Sequence, residues 1–276
     1  MRIPAILLAA AMTVAPAFST AASPLAADVR AAASSTVSAT PDGLVKAQLA
    51  AVIAGDIKAL ITCMPAEKLE LAKAQWEAFQ QSPEDPNAEM QFGMVKGMLM
   101  APDAVKGLVA MALPQMAQAQ QMMPMMLGMM GQGMQQAMQM QMGMTDPAEV
   151  EQAAKVVEGM MAWLGGVDLT DEAKLTAAIT TVVDTFGKLK IGSVAEFKKL
   201  TFDEVLVKGG VAFIGLKKVL ATYGFDIDAA MKSAVVGAPV IDGDNASVPV
   251  TMKLFDIDLT SNAKLIKVDG VWVSEQ

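Results

Sequence analysis

Sulfur is the donor atom this sequence offers in quantity. Of its 276 residues 24 are methionine, and 19 of these fall between Met90 and Met161. The densest stretch, Met122–Met144, carries 11 in 23 residues and ends in Met138-Gln139-Met140-Gln141-Met142-Gly143-Met144. A thioether is a soft, proton-free ligand that selects copper(I) or silver(I) over hard cations. Three or four such sulfurs on one flexible stretch can close around a single ion. Met138, Met140, Met142 and Met144 are therefore the candidate metal ligands, and copper(I) the candidate cofactor. Such a site would hold its ion from neutral pH down to about 5, because no proton competes for the ligands.

Three other readings of the same residues stand beside this one. Methionine forms helices well and fills cores adaptably. A row such as Met122, Met126, Met130, Met134, Met138, Met142 advances four residues at a time, however, and drifts about 40° per step on a helix, or about 200° over its length. Gly128, Gly131, Gly133 and Gly143 weaken a helix further. An inert Met-Gln-Gly expansion in a loop over 115–144 accounts for the pattern. So does a soft apolar surface for a partner, or a sacrificial sink in which Met is oxidised to its sulfoxide.

Other chemistry is largely excluded. Histidine is absent and Cys63 is the sole cysteine, so no Ser–His–Asp triad, Cys–His pair, His-ligated metal or internal disulfide can form. Arg2 and Arg30 are the only arginines, and 21 basic against 29 acidic groups leave a formal charge of −8. That balance disfavours nucleic acid as a partner. Carboxylates pair as Asp226/Asp228, Asp242/Asp244 and Asp256/Asp258, a spacing that shares one face of a strand. Each pair has a plainer place in a turn or helix start, and none supplies the oxygens calcium needs. No catalytic residue emerges, and Cys63, ending the apolar run Ile61-Thr62-Cys63-Met64, reads as a buried thiol.

The elements that carry these residues follow from periodicity. Thr40-Pro41 opens a helix as N-cap and N1, with Leu44, Val45, Leu49, Val52 and Ile53 at helical spacing. Gly55-Asp56 ends it, and Ile57–Cys63 forms a short second helix. A third starts at Pro65 with Leu69, Ala72, Trp76 and Phe79 on one stripe, and Met90–Met100 resumes the period. Asp146-Pro147 starts another helix that runs to Gly165-Gly166. Thr170 caps a long helix with Leu175, Ala178, Ile179, Val182, Val183 and Phe186 on one face. Capping boxes follow at Ser193…Glu196 and Thr201…Glu204. After Gly224 the period changes from 3.6 to 2: Met231–Ile241 is β-rich, Asp242-Gly243-Asp244-Asn245 is a hairpin turn, Ser247–Phe255 a strand, and Ala263–Val268 and Val271–Ser274 strands joined at Asp269-Gly270. Helices preceding strands give an α+β class: a helical portion over 40–223 and an antiparallel meander of three or four strands over 224–276.

The run Pro41-Asp42-Gly43-Leu44-Val45-Lys46 through Gly55-Asp56-Ile57-Lys58-Ala59-Leu60, with the terminal Leu265-Ile266-Lys267-Val268-Asp269-Gly270-Val271-Trp272-Val273, resembles exported bacterial proteins of the nuclear-transport-factor-2-like, or ketosteroid-isomerase-like, superfamily. The resemblance covers about a quarter of the chain and implies a curved sheet wrapped around N-terminal helices as a cone-shaped pocket. The mostly helical stretch 65–223 departs from that pattern, and no catalytic residue carries over. Tyr223, the sole tyrosine, stands at a helix end and reads as packing.

The N-terminus has the grammar of a secretory signal: Arg2, an apolar Ile3–Val14, then small residues up to a cleavage point at Ala21 or Ala22, with Ala17 as the alternative. Residues 1–22 are read as signal peptide and 23–39 as a flexible Ala/Ser/Thr-rich lead-in. With the leader removed no membrane span is expected, and the location is periplasmic or secreted. The functional expectation is a non-catalytic exported protein that binds a small ligand or a protein partner where the helices meet the sheet; the alternative is copper(I) or silver(I) binding, or tolerance to these ions, through the methionine segment.

Overall fold

The computed structural model describes residues 40–140 and 147–275; residues 1–39, read from the sequence as signal peptide and lead-in, lie outside them. The order is α1 (Pro41–Ala54), α2 (Ile57–Thr62), α3 (Ala66–Gln81), α4 (Pro86–Leu99), α5 (Ala104–Met140), α6 (Pro147–Gly166), α7 (Glu172–Leu189), α8 (Val194–Lys198), α9 (Phe202–Thr222) and α10 (Ile227–Lys232). Strands β1 (Val235–Val236), β2 (Val240–Asp242), β3 (Asn245–Leu254), β4 (Ile257–Val268) and β5 (Val271–Ser274) follow. The class is α+β, with all described helices ahead of all strands.

Local chemistry sets most boundaries. The Thr40 hydroxyl accepts from Gly43 N at 3.3 Å, and Gly55, with φ of 70°, closes α1 in the left-handed region. Thr201 and Glu204 form a full reciprocal capping box at α9. At Ser193 only half of the expected box exists: its hydroxyl caps Glu196 N, but the Glu196 carboxylate accepts from Gly192 N instead. The cap of α7 is Asp171, not Thr170; the Asp171 carboxylate takes both Ala173 N and Lys174 N at 3.0 Å, while Thr170 donates to Asp168. A charged acceptor outcompetes a hydroxyl for two helix N–H groups.

The sheet is antiparallel, in the order β1-β3-β4-β5, with β2 sharing the β3 edge beyond β1. Met231 and Lys232 belong to α10 rather than to a strand, because Asp226 caps Ala229 N and draws that segment into a helix. Strand β4 starts at Ile257, well before Ala263, because Phe255 and Asp256 make a two-residue turn with φ of 52° and 60°. Left-handed conformations at both positions match the twist of a tight hairpin. Phe255, strained there as a bulky residue, stacks on Phe225 at 4.9 Å and lies 6.1 Å from Trp163 of α6. Pro249 sits in mid-strand without breaking β3. Its carbonyl accepts from Gly237 N at 2.8 Å, and Gly237, between β1 and β2, leaves room for the ring: a Cβ there would come within 2.7 Å of Pro249 Cγ.

Helix α1 lies on the inner face of the meander. Leu44, Val45 and Cys63 join Ala246, Val248, Val250, Leu265 and Trp272 in one core, in which Leu44, Val248 and Leu265 are almost wholly enclosed. Each such aliphatic side chain contributes about 1.5–3 kcal/mol. Helix α7 runs between α5 and α9, and α9 crosses the α1–α2 break. A Cβ at Gly210 would collide with the Gly55 carbonyl, so the backbones themselves touch.

One charged group is buried at that crossing. Lys217 of α9, 5% exposed, donates to Val52 O at 2.9 Å, Ile53 O at 2.7 Å and Asp228 at 2.5 Å, its ammonium 5.3 Å from the centre of the Phe213 ring. The ammonium thus satisfies Ile53 O at the end of α1 and is a second donor to Val52 O, which also accepts from Gly55 N at 3.2 Å. Lys217→Met should lower stability by about 3 kcal/mol, since buried acceptors would lose their donor. Asp228→Asn should cost less, because that side chain is 37% exposed. Urea midpoints at unchanged slope provide the check, and a Lys217→Met midpoint equal to that of the parent would refute the role.

Candidate functional site

The methionine-rich segment is helical from its start to Met140, unlike the loop of the inert-expansion reading; residues 141–146 lie outside those described. Helix α5 continues through Met140 despite Pro114 and Pro124 inside it. Each proline removes one backbone bond, to the carbonyl four residues before it. Met, Gln and Ala, which dominate the segment, are good helix formers. Tertiary contacts supply the rest. Val105, Val109, Ala112, Leu113, Met116 and Leu127 form a half-buried to buried stripe facing α7 and α6. Gln120 on the same side clamps the α6–α7 connection: its amide donates to Val167 O at 3.1 Å and accepts from Leu169 N at 2.9 Å. Nothing in the sequence distinguishes Gln120 from the other glutamines of that run. Its signal is its place on the inward stripe, four residues before Pro124.

With that side committed inward, the opposite side carries sulfur. Met122, Met125, Met126 and Met129 are 51%, 69%, 57% and 64% exposed. Their spacing of i, i+3, i+4 and i+7 confines them to an arc of about 100°. The every-fourth-residue row noted in the sequence does drift around the helix; these four do not. Met111, 49% exposed, continues the stripe towards the helix start. No charged residue occurs between Lys106 and Asp146. On α4 the periodic Met90, Met94 and Met98 also point outward, while Phe92 meets Phe186 of α7 on the inner side. Of the candidate ligands, Met138 and Met140 fall in the last turn of α5, with side chains outside those described. Met142 and Met144 lie outside the described residues altogether.

The remaining candidates have structural tasks. Asp226 caps α10, Asp228 holds Lys217, Asp242 and Asp244 flank the β2–β3 turn, and Asp256 and Asp258 flank the Phe255 hairpin, Asp258 lying 3.9 Å from Lys253. Among the described residues no three Cys, Asp or Glu side chains converge as a metal site. Cys63 is buried, its thiol donating to Ala59 O at 3.3 Å, and burial raises its pKa. Tyr223 caps the end of α9 and its carbonyl accepts from Trp163 Nε1 at 2.8 Å; burial, then Asp171, raises its pKa.

The junction of helices and sheet, expected to hold a binding pocket, is filled by the Leu44, Val248, Leu265 and Trp272 side chains. An open groove of about 720 Å³ lies elsewhere, between the start of α5 and α7, floored by Val105, Val109, Leu113 and Val183. Among the described residues no helix is long and apolar enough to cross a membrane. The chain matches no family model, no curated protein and no solved structure. Its functional reading therefore rests on geometry.

Limited peroxide should convert Met122, Met125, Met126 and Met129 to sulfoxides before the half-buried Met252 of β3, as read by peptide mass spectrometry. Equal rates at all five would mean that the α5 face is covered. Iodoacetamide at pH 8 should leave Cys63 unmodified until the chain unfolds, because its thiol is both enclosed and held protonated.

Proposed function

We propose that this is an exported, non-catalytic binding protein that holds an apolar protein partner against the outward methionine face of α5. The observation that carries the reading is the exposure of Met122, Met125, Met126 and Met129, each more than half open to solvent on one face. Among the described residues nothing covers these four large apolar side chains, and contiguous exposed apolar surface marks interaction sites. Methionine suits such a surface because its unbranched, polarizable side chain adapts to different partners. The outward Met90 and Met94 of α4 present the same chemistry. Export rests on the Arg2–Ala22 leader, and the absence of a nucleophile–base constellation in the sequence favours binding over turnover.

The packing of α1 into the curved meander supports a likeness of the two chain ends to the nuclear-transport-factor-2-like superfamily. The proposed binding surface lies on the helices inserted between those ends, not inside the cone.

A Leu-rich amphipathic helical peptide is a suitable probe. Its fluorescence anisotropy should report binding that changes little between low and high salt, since the face carries no charge. Replacing the four α5 methionines with glutamine keeps helix propensity while removing apolarity, and should weaken binding at least ten-fold. Replacement with leucine should preserve it. Equal peptide binding by the parent and the glutamine variant sinks the proposal, as does turnover of a substrate abolished by changing one carboxylate.

A further inference from the structure

The outward face of α5 offers sulfur lone pairs as well as apolar area, and leucine in place of methionine separates the two. In any three consecutive members of the stripe, Met122/Met125/Met126 or Met125/Met126/Met129, the outer two stand four positions apart. That is about 6 Å of helix axis. Each side chain has three rotatable bonds to bring its sulfur across such a gap. The α4 row has one methionine per turn, so Met90, Met94 and Met98 spread over about 12 Å and cannot meet at one ion. Two adjacent sulfurs, Met125 and Met126, flanked by one on either side, distinguish α5.

The donor set and the uncharged sequence around it suit a soft monovalent cation. Thioether donors are neutral, and between Lys106 and Asp146 there is no carboxylate to attract calcium, magnesium or zinc. The single thiol does not compete, because Cys63 is only 4% exposed in the core beneath α1. All four side chains are more than half exposed, so an ion can reach them without unfolding. The helix is already formed, so little further backbone ordering is needed on binding.

We propose that Met122, Met125, Met126 and Met129 form a copper(I)- or silver(I)-binding site in which three thioethers ligate one ion. The site uses the same face as the partner reading but does not depend on it: the partner requires apolar surface, and the ion requires sulfur.

Silver(I) nitrate in chloride-free buffer is the probe, added to the full chain with its methionine methyl groups labelled with ¹³C. Below one equivalent, the methyl signals of three or four of Met122, Met125, Met126 and Met129 should shift, while those of Met90 and Met94 stay in place. The shifts should be the same at pH 7 and pH 5, because no ligand proton is displaced. Leucine at the four α5 positions should weaken silver retention against a competing thioether chelator at least ten-fold, with far-UV helix content unchanged and the amphipathic peptide still bound. Leucine at Met138, Met140, Met142 and Met144 should leave retention intact. Unshifted α5 methyls in the parent overturn the proposal whatever the variants do. So does equal retention by the α5 leucine variant, or loss in the Met138–Met144 variant. Loss of peptide binding alone, in the glutamine variant and not the leucine one, bears on the partner reading and leaves the metal site standing.

Discussion

The Lys217 ammonium joins the two halves of the architecture. It lies where α9 crosses the end of α1, and three acceptors from two other elements converge on it: Val52 O, Ile53 O and the Asp228 carboxylate. Helix α1 lies on the sheet, where α6 and α10 also touch it, while α9 is the element on which α7, and through it α5, is packed. A positive charge at that point also complements the negative end of the α1 macrodipole. The Asp228 contact draws α10 to the same place, and α10 hands the chain over to β1. Removing the charge would therefore loosen the frame between the meander and the helical layers, rather than one local contact.

Around that pin, the elements that depend on local chemistry were legible in the sequence. Thr40-Pro41, Gly55-Asp56, Thr201…Glu204 and Asp269-Gly270 each carry their own hydrogen-bond or dihedral instruction within four residues, and each stands where it was read. Strand β3 was legible because Ala246, Val248 and Val250 alternate with exposed or half-buried neighbours. The misses share one cause, a competition between neighbours that pattern alone does not rank. Asp171 and Thr170 both suit a cap, and the carboxylate wins. Met231 and Lys232 look strand-like, yet Asp226 initiates a helix ahead of them. Phe255 and Asp256 carry no glycine, so the turn that lengthens β4 depends on Phe225 and Trp163, which come from elsewhere in the fold.

The candidate surface was half legible. Composition singled out the methionine segment, but its direction could not be read, because methionine is equally at home inside and outside. The inward side of α5 is fixed by α7 and by Gln120, whose partners Val167 and Leu169 lie more than forty residues away. Only with that side occupied does the other acquire a defined exposure. The Met-x-Met run that drew attention first follows it, beyond the residues whose side chains are described.

Pro249 has a consequence that reaches past a single molecule. A sheet edge with free N–H and C=O groups is a template on which a second chain can add a strand. Here the border strand beside β3 is split into the two residues of β1 and the three of β2, and at the break between them Pro249 has no N–H to offer Gly237. At the other end of the ladder, β5 has only four residues. Neither border offers a long, regular row of hydrogen-bonding groups. Edge-to-edge polymerisation is thereby discouraged by backbone design alone, which suits a chain that already carries so much exposed apolar side-chain surface.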